Sequence, residues 1–254
     1  MKTYAMTGGA TGIGAALKAQ LLADGHEVIS VDIKEGDIIA DLSTAEGRQT
    51  AIDGIRERAP DGLDGFIPCA GLPPVAKPLS LIARVNYFAV IATIEGLKDL
   101  VGKKQGSVLL VSSNSAPMVP TEDSFVQACL AGDEEAACAD IDARDGHTAY
   151  AGSKRAITLW MRRNVVDYAK SGVRINAVAP GITMTPLAEQ VFADDQFGQL
   201  MRDFGDTVPL GATAQPEQIA SVMQFMLSPG ADFVCGSIFF VDGGSDAMMR
   251  PDDF

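Results

Sequence analysis

The chain has 254 residues, 47% hydrophobic and 21% charged, the balance of an ordinary globular protein rather than a disordered one. Its net charge of −13 argues against a nucleic-acid partner, which needs clustered Lys and Arg, and is read as serving solubility. The four cysteines and two histidines lack metal-ligand spacing, so no metal site and no disulfide framework is expected.

Taken in chain order, short apolar runs alternate with amphipathic stretches. A strand is predicted over Thr3–Met6, then a glycine-rich turn and a helix over Ile13–Asp24. A second strand, Val28–Val31, precedes a helix over Ala45–Arg58. Further strands are expected at Gly65–Pro68 and Ser107–Val111, with a helix over Ile82–Leu100 between them. A helix over Thr148–Ser171 leads into a strand at Arg174–Val178. A helix over Pro216–Leu227 leads into a last strand at Ile238–Val241. This alternation implies an α/β fold: one doubly wound parallel sheet of the Rossmann type, covered on both faces, in a single domain over residues 1–254. Only Lys2 is basic near the start and no apolar run reaches about 18 residues. The expectation is a cytoplasmic protein with neither a secretory leader nor a membrane partner.

The segment Thr7-Gly8-Gly9-Ala10-Thr11-Gly12-Ile13-Gly14 lies between the first strand and the first helix. There Gly8 permits a tight exit from the strand, Gly12 a close approach of backbone to a pyrophosphate, and Gly14 close packing of helix on sheet. The helix N-terminus would meet the phosphates with free N–H groups and a positive dipole. Asp32, 18 residues after Gly14, follows the second strand with Ile33 beside it. A carboxylate there receives ribose hydroxyls and repels a 2′-phosphate, which favours NAD over NADP; Lys34 nearby works against that preference.

Tyr150 and Lys154 are four residues apart and so share one helix face. A phenol with a pKa of about 10 is a poor base at neutral pH, and a neighbouring ammonium brings it toward the working range. Ser113, ending the strand at Ser107–Val111, could hold a substrate oxygen for proton exchange; Ser112 is its adjacent competitor. A Tyr-x-x-x-Lys pair by itself is common on helix surfaces.

Taken together, these motifs resemble the short-chain dehydrogenases/reductases over the whole chain and in the family's order. TGGATGIG is similar to the family's TGxxxGxG loop, Asp41-Leu42 to its adenine-contacting pair, and Ala70-Gly71 to the end of its NNAG segment. Asn86, Ser113, Tyr150 and Lys154 match its catalytic tetrad. Pro180-Gly181-Ile182-Thr183 and Thr185 match the PGxxxT segment that contacts the nicotinamide carboxamide. The resemblance implies that Tyr150 exchanges the hydroxyl proton during hydride transfer with NAD(H), and that Ser113 orients the oxygen. It further implies that Lys154 binds the nicotinamide ribose and tunes Tyr150, while Asn86 holds a relaying water.

Two departures stand out. Pro68-Cys69 replaces the amide pair of the NNAG segment, and Ser113 and Tyr150 are 37 residues apart, much farther than is usual in the family. The extra segment, about 118–146, includes an acidic helical stretch over Ala131–Ala143. Long additions at surfaces usually carry function or alter contacts. This one would obstruct pairing through the Tyr150 helix, so a homodimer through the last helix and strand is expected. LAGDEEA, TAYAGSK and the tail DAMMRP resemble the branch of bacterial 3α-hydroxysteroid dehydrogenase/carbonyl reductases.

The stretch 182–209 is expected to form a substrate lid, with Met184, Leu187, Val191, Phe192, Phe197, Met201 and Phe204 as its apolar residues; Met184, Leu187 and Phe192 are assigned to a substrate pocket. The expected function is NAD(H)-dependent interconversion of a small hydrophobic secondary alcohol and its ketone, a 3α-hydroxysteroid or related carbonyl substrate. Another alicyclic or aromatic alcohol or dihydrodiol is the alternative within enzymes. A non-catalytic dinucleotide sensor is the alternative outside them, opposed by the intact Asn86, Ser113, Tyr150 and Lys154 set.

Overall fold

Strand and helix alternate from the first residues of the computed structural model, which describes residues 1–254 except 196, 212 and 254. The order opens β1 (Thr3–Thr7), α1 (Gly12–Ala23), β2 (Glu27–Asp32), β3 (Ile38–Ile39), α2 (Ala45–Arg58) and β4 (Gly65–Pro68). A long helix follows in two parts, α3 (Ser80–Ala83) and α4 (Ala89–Lys103), joined by a π turn at Arg84–Phe88; then comes β5 (Ser107–Val111). Next are α5 (Ser124–Ala131), α6 (Glu134–Asp142), α7 (Gly146–Lys170) and β6 (Arg174–Pro180). The chain closes with α8 (Pro186–Phe192), α9 (Phe197–Asp206), α10 (Pro216–Leu227), β7 (Ile238–Val241) and α11 (Ser245–Met249).

Among the described residues, seven strands form one sheet in the order β3-β2-β1-β4-β5-β6-β7, and every pairing between them is parallel. Neighbouring residues along a strand point to opposite faces, so the buried strands divide their side chains between two cores. Ala5, Phe66, Val108, Leu110 and Ala177 pack in the core that includes Ile52 and Ile55 of α2, Leu97 of α4 and Ile157 of α7. Tyr4, Met6, Ile67, Leu109 and Val178 pack in the other, with Leu17 and Leu21 of α1 and Ile219 and Met223 of α10. Each fully buried Leu, Ile or Phe contributes about 1.5–3 kcal/mol, which fixes the register of every strand. The strand order reverses between β1 and β4. At that reversal the carboxyl ends of parallel strands leave a crevice, which is where a ligand site belongs in a doubly wound sheet.

Several elements differ from the sequence reading for identifiable reasons. The helix expected over Ile82–Leu100 runs from Ser80 to Lys103 and carries a π turn, which leaves the apolar pattern almost unaltered. By length and composition this helix could cross a membrane, but 61% of its apolar window is buried inside the fold. The acidic stretch expected as one helix over Ala131–Ala143 is preceded by α5. Gly132, at φ 75°, ends α5 in the left-handed conformation, and Asp133 caps α6 by accepting from the Ala136 N–H at 3.0 Å.

The insertion is part of the core rather than a surface addition. Phe125, Val126, Cys129, Ala137 and Ile141 are fully buried. Phe125 sits against Gly152 of α7, where a Cβ would lie 2.9 Å from its ring. Asp142 accepts from the Ser80 N–H at 2.8 Å, which pins α6 to α3.

Candidate active site

The glycine loop leaves β1 with its backbone against β4. A Cβ on Gly8 would stand 2.6 Å from the Ala70 backbone, and one on Gly14 would stand 2.0 Å from the Gly8 carbonyl oxygen. Gly14 therefore makes room for the loop's own carbonyl more than for the sheet, a different reason from the one the motif suggested. Thr11 stands at the N-cap of α1 without a side-chain cap, so the first N–H groups of the helix face the crevice. Asp32 accepts from the Ala10 N–H at 3.3 Å and the Ile33 N–H at 2.8 Å, which fixes its carboxylate over the loop.

These groups open into a cleft of about 780 Å³ at the carboxyl ends of the strands. Gly8, Thr11, Gly12, Ile13 and Gly14 line it from the first turn, and Asp32, Ile33, Asp41 and Leu42 from the ends of β2 and β3. Ala70 and Gly71 line it after β4, and Pro180, Gly181, Ile182, Thr183 and Thr185 after β6. Among the described lining residues, Lys154 is the one Lys or Arg. Lys34, the residue that complicated the NAD preference, is absent from the lining. The Cys69 thiol also lines the cleft; burial pushes it up to about 11, with Lys154 opposing, so it stays a neutral packing group.

Ser113, Tyr150 and Lys154 meet in this cleft. Asp145 caps α7 by accepting from the Thr148 N–H at 2.9 Å, and Gly146 packs under the Pro74 carbonyl. The first turn of α7, with Tyr150 on it, is thereby set over the end of β5. Ser113 and Ser112 separate cleanly. The Ser112 hydroxyl is 2.8 Å from Thr158 Oγ1, turned into α7, whereas Ser113 stands with Tyr150 in the cleft lining and lowers the phenol's pKa. Ser113 Oγ also accepts from the Ser115 N–H at 3.1 Å and lies 2.9 Å from Ser115 Oγ. Burial raises the Tyr150 pKa and the Ser113 donor lowers it.

Lys154 is buried, donates to the Val111 carbonyl at 2.7 Å, and has its ammonium 5.8 Å from the centre of the Tyr150 ring. Burial brings its pKa down to about 8. Asn86 sits in the π turn, fully buried and outside the cleft lining. Its amide accepts from the Leu72 N–H at 2.8 Å and donates to the Leu72 carbonyl at 3.0 Å. It thus holds the loop after β4 against the π turn, and a Cβ on Gly71 would lie 3.5 Å from its Oδ1 and 3.9 Å from Lys154 Nζ.

The lid residues divide. Leu187, Val191, Phe197, Met201 and Phe204 line the cleft, whereas Met184 and Phe192 lie outside the lining. Met184 belongs instead to the short bridge Thr183–Ala214, donating its N–H to the Ala214 carbonyl at 2.9 Å. Phe197, Leu200, Met201 and Phe204 form an i, i+3, i+4, i+7 stripe on α9 that faces the cleft, and Leu200 is 64% exposed. The sequence reading missed Leu200, which that period would have found, and also Pro73, Pro74, Val85 and Asn114, which no local pattern marks. Asn114 is 7% exposed and its Nδ2 has no hydrogen-bond partner. An unmet buried donor is destabilising by about 1–3 kcal/mol unless a ligand meets it. That donor, the uncapped α1 terminus and Asp32 fit a dinucleotide lying across the strand ends.

Comparison with known proteins agrees with this geometry. The 3-alpha-hydroxysteroid dehydrogenase/carbonyl reductase of Comamonas testosteroni is 38% identical over 259 aligned residues that cover 100% of both chains. The chain belongs to the short-chain dehydrogenase/reductase family. A family model described as "Enoyl-(Acyl carrier protein) reductase" matches residues 136–246. The 2,5-dichloro-2,5-cyclohexadiene-1,4-diol dehydrogenase of Sphingobium indicum is 27% identical over 97% of this chain and 98% of its own. The crystal structure of the 3-alpha-hydroxysteroid dehydrogenase from Pseudomonas sp. B-0831, complexed with NADH, superposes with a TM-score of 0.96. It is 44% identical and covers 99% of this chain and 100% of that one. In this short-chain dehydrogenase/reductase, Ser113, Tyr150 and Lys154 line one cleft.

Proposed function

We propose that this short-chain dehydrogenase/reductase interconverts a hydrophobic secondary alcohol and its ketone with NAD(H), with 3α-hydroxysteroids and related carbonyl compounds as its substrate class. The observation that carries the substrate class is the apolar α9 stripe, turned toward the cleft with Leu200 left exposed. A side chain of that kind, on a lid over a catalytic centre, is suited to an apolar ligand that would shield it from water. The two similar hydroxysteroid dehydrogenases support the same class.

NAD, when bound, supplies the hydride acceptor, and NADH the donor. Gly8, Thr11, Gly12, Ile13 and Gly14 would hold its pyrophosphate, Asp32 and Ile33 the adenosine ribose, and Asp41 and Leu42 the adenine. Ala70, Gly71, Tyr150, Lys154, Pro180, Gly181, Ile182, Thr183 and Thr185 would surround the nicotinamide half. Ser113 then donates to the substrate oxygen, Tyr150 takes or returns its proton, and Lys154 holds positive charge beside the phenol. Leu187 would touch the substrate; Met184 and Phe192 would act through the lid's packing. The Asn86 amide, occupied by Leu72, would serve the proton path by fixing this wall.

Asp32→Ala is expected to weaken the preference for NAD over NADP by roughly tenfold or more, because a carboxylate that repels the 2′-phosphate is lost. Paired kcat/KM values for the two cofactors check this, and an unchanged ratio would overturn the role of Asp32. The inserted α5 covers part of α7, so two copies are expected to pair through α10 and β7 as a homodimer. Light scattering should give twice the chain mass, and a tetramer would contradict that arrangement. The cyclohexadienediol dehydrogenase favours a second reading, a dehydrogenase of alicyclic diols.

The experiment that separates the two follows NADH absorbance with NAD and a panel of 3α- and 3β-hydroxysteroids and alicyclic alcohols. Turnover selective for 3α epimers supports the steroid class. Turnover confined to small alcohols replaces it, and absence of any turnover defeats the enzyme reading.

A further inference from the structure

Glu134, the first residue of α6, reaches across to the cofactor half of the molecule. Its carboxylate accepts from Arg48 at 2.6 and 3.1 Å and from Arg84 at 2.7 Å. The Arg48 side chain is 8% exposed, and Nε and Nη2 also donate to backbone. Nε donates to the Leu42 carbonyl at 2.9 Å, and Nη2 donates to the Arg84 carbonyl at 3.2 Å. One guanidinium therefore joins three elements: the loop after β3 that carries Asp41 and Leu42, the π turn that carries Val85, and the insertion. Leu42 and Val85 both line the cleft, and Leu42 is on the side assigned above to the adenine.

A guanidinium this deeply buried stays in place only while an anion and good acceptors surround it. Among the described residues, Glu134 is the one carboxylate it bonds. The bidentate fork sets the plane of the guanidinium, and that plane sets where Nε and Nη2 meet the two carbonyls. Removing the carboxylate leaves a cation that turns toward solvent or draws water in, releasing the Leu42 and Arg84 carbonyls. The insertion is thus coupled to the dinucleotide wall through a single buried side chain.

We propose that Glu134 is a positioning residue for dinucleotide binding: acting through Arg48, the inserted helix fixes the Leu42 and Val85 wall of the cleft. The proposal rests on the reading of Asp41 and Leu42 as the adenine side. It gives the insertion a role in the family's chemistry besides covering α7. Because Glu134 touches neither ligand nor reacting atoms, its loss should appear in cofactor affinity and leave the chemical step alone.

The test measures NADH binding by fluorescence, displacement of NADH by ADP-ribose, and kcat at saturating NAD, for wild type, E134Q, R48M and the double variant. In E134Q the dissociation constants for NADH and ADP-ribose should rise together, by roughly tenfold, with kcat within about twofold. The double variant should stay close to R48M alone, since Glu134 acts on the wall through Arg48 and the Arg84 pair it also loses is half-exposed. A folded E134Q with unaltered affinity for both ligands overturns the proposal, as does an affinity loss that simply adds to that of R48M. Should E134Q fold poorly, Glu134→Asp serves the same measurement, because its shorter arm cannot keep both bonds to Arg48. Wild-type protein that binds NADH but is not displaced by ADP-ribose would place the adenine elsewhere and overturn the proposal while sparing the oxidoreductase reading. Wild-type protein that does not bind NADH would overturn both.

Discussion

Tyr150→Phe is expected to reduce turnover by about 10²–10⁴-fold while leaving NADH affinity nearly unchanged. The phenylalanine ring keeps the packing of α7 against β5 and removes only the oxygen that Ser113 meets. In the proposed reaction the phenol exchanges a proton with a substrate oxygen held by Ser113, and no other phenol lines the cleft among the described residues. The direction of its pKa shifts gives a second readout. Burial raises the phenol and the Ser113 donor lowers it, so Ser113→Ala should move the rising, acid-side limb of the alcohol-oxidation profile to higher pH. Steady-state rates from neutral to alkaline pH check both statements. A Phe variant that keeps about a tenth or more of the wild-type rate would remove Tyr150 from the proton transfer.

Lys154→Met should separate stability from activity. Burial lowers the lysine from 10.5 to about 8, which corresponds to roughly 3 kcal/mol against the charged form in the folded state. Methionine fills a similar volume with no charge to desolvate, so the folded protein should gain about 1–3 kcal/mol at neutral pH, less the bond to the Val111 carbonyl. The sign with pH follows from proton binding. Between about 8 and 10.5 the unfolded chain holds the lysine proton and the folded chain has lost it, so wild-type stability gains on the variant as pH rises through that window. Urea unfolding of the two proteins at neutral pH and near pH 9 measures that closing gap. Turnover should fall by about 10²-fold or more, because the cation beside the phenol and the ribose contact are lost together. A variant that is both less stable at neutral pH and fully active would contradict this placement of the charge.

The doubly wound sheet was legible because its strands are buried on both faces and read as continuous apolar runs between amphipathic helices. Gly65–Pro68, Ser107–Val111 and Ile238–Val241 lie where the pattern put them. β3 was not legible, since two residues carry no period. The π turn escaped because one extra residue per turn shifts a helical stripe too little to see over a single turn. The cofactor loop and Ser113, Tyr150 and Lys154 were legible through motifs whose spacing follows from mechanism. Asn86 was found by resemblance alone, and its clamp on Leu72 is a tertiary fact.

Lid residues were legible only as a class. Met184 and Phe192 have the same apolar character as Leu187 and Val191, and only the turns at Thr183 and Thr185 decide which side chains face the cleft. Glu134 could not be singled out, because in sequence it is one acid in an acidic run; its meaning comes from Arg48, 86 residues away.

The most direct test of the central claim supplies the protein with NADH carrying deuterium at the transferable position and a 3-oxosteroid. The product alcohol is then examined by mass spectrometry and proton magnetic resonance. A single deuterium on the carbinol carbon of a 3α-hydroxysteroid is the predicted result, and it should disappear with Tyr150→Phe. Recovery of unreduced ketone, with labelled NADH intact and bound, would contradict the assignment of this cleft as a site of hydride transfer to steroid carbonyls.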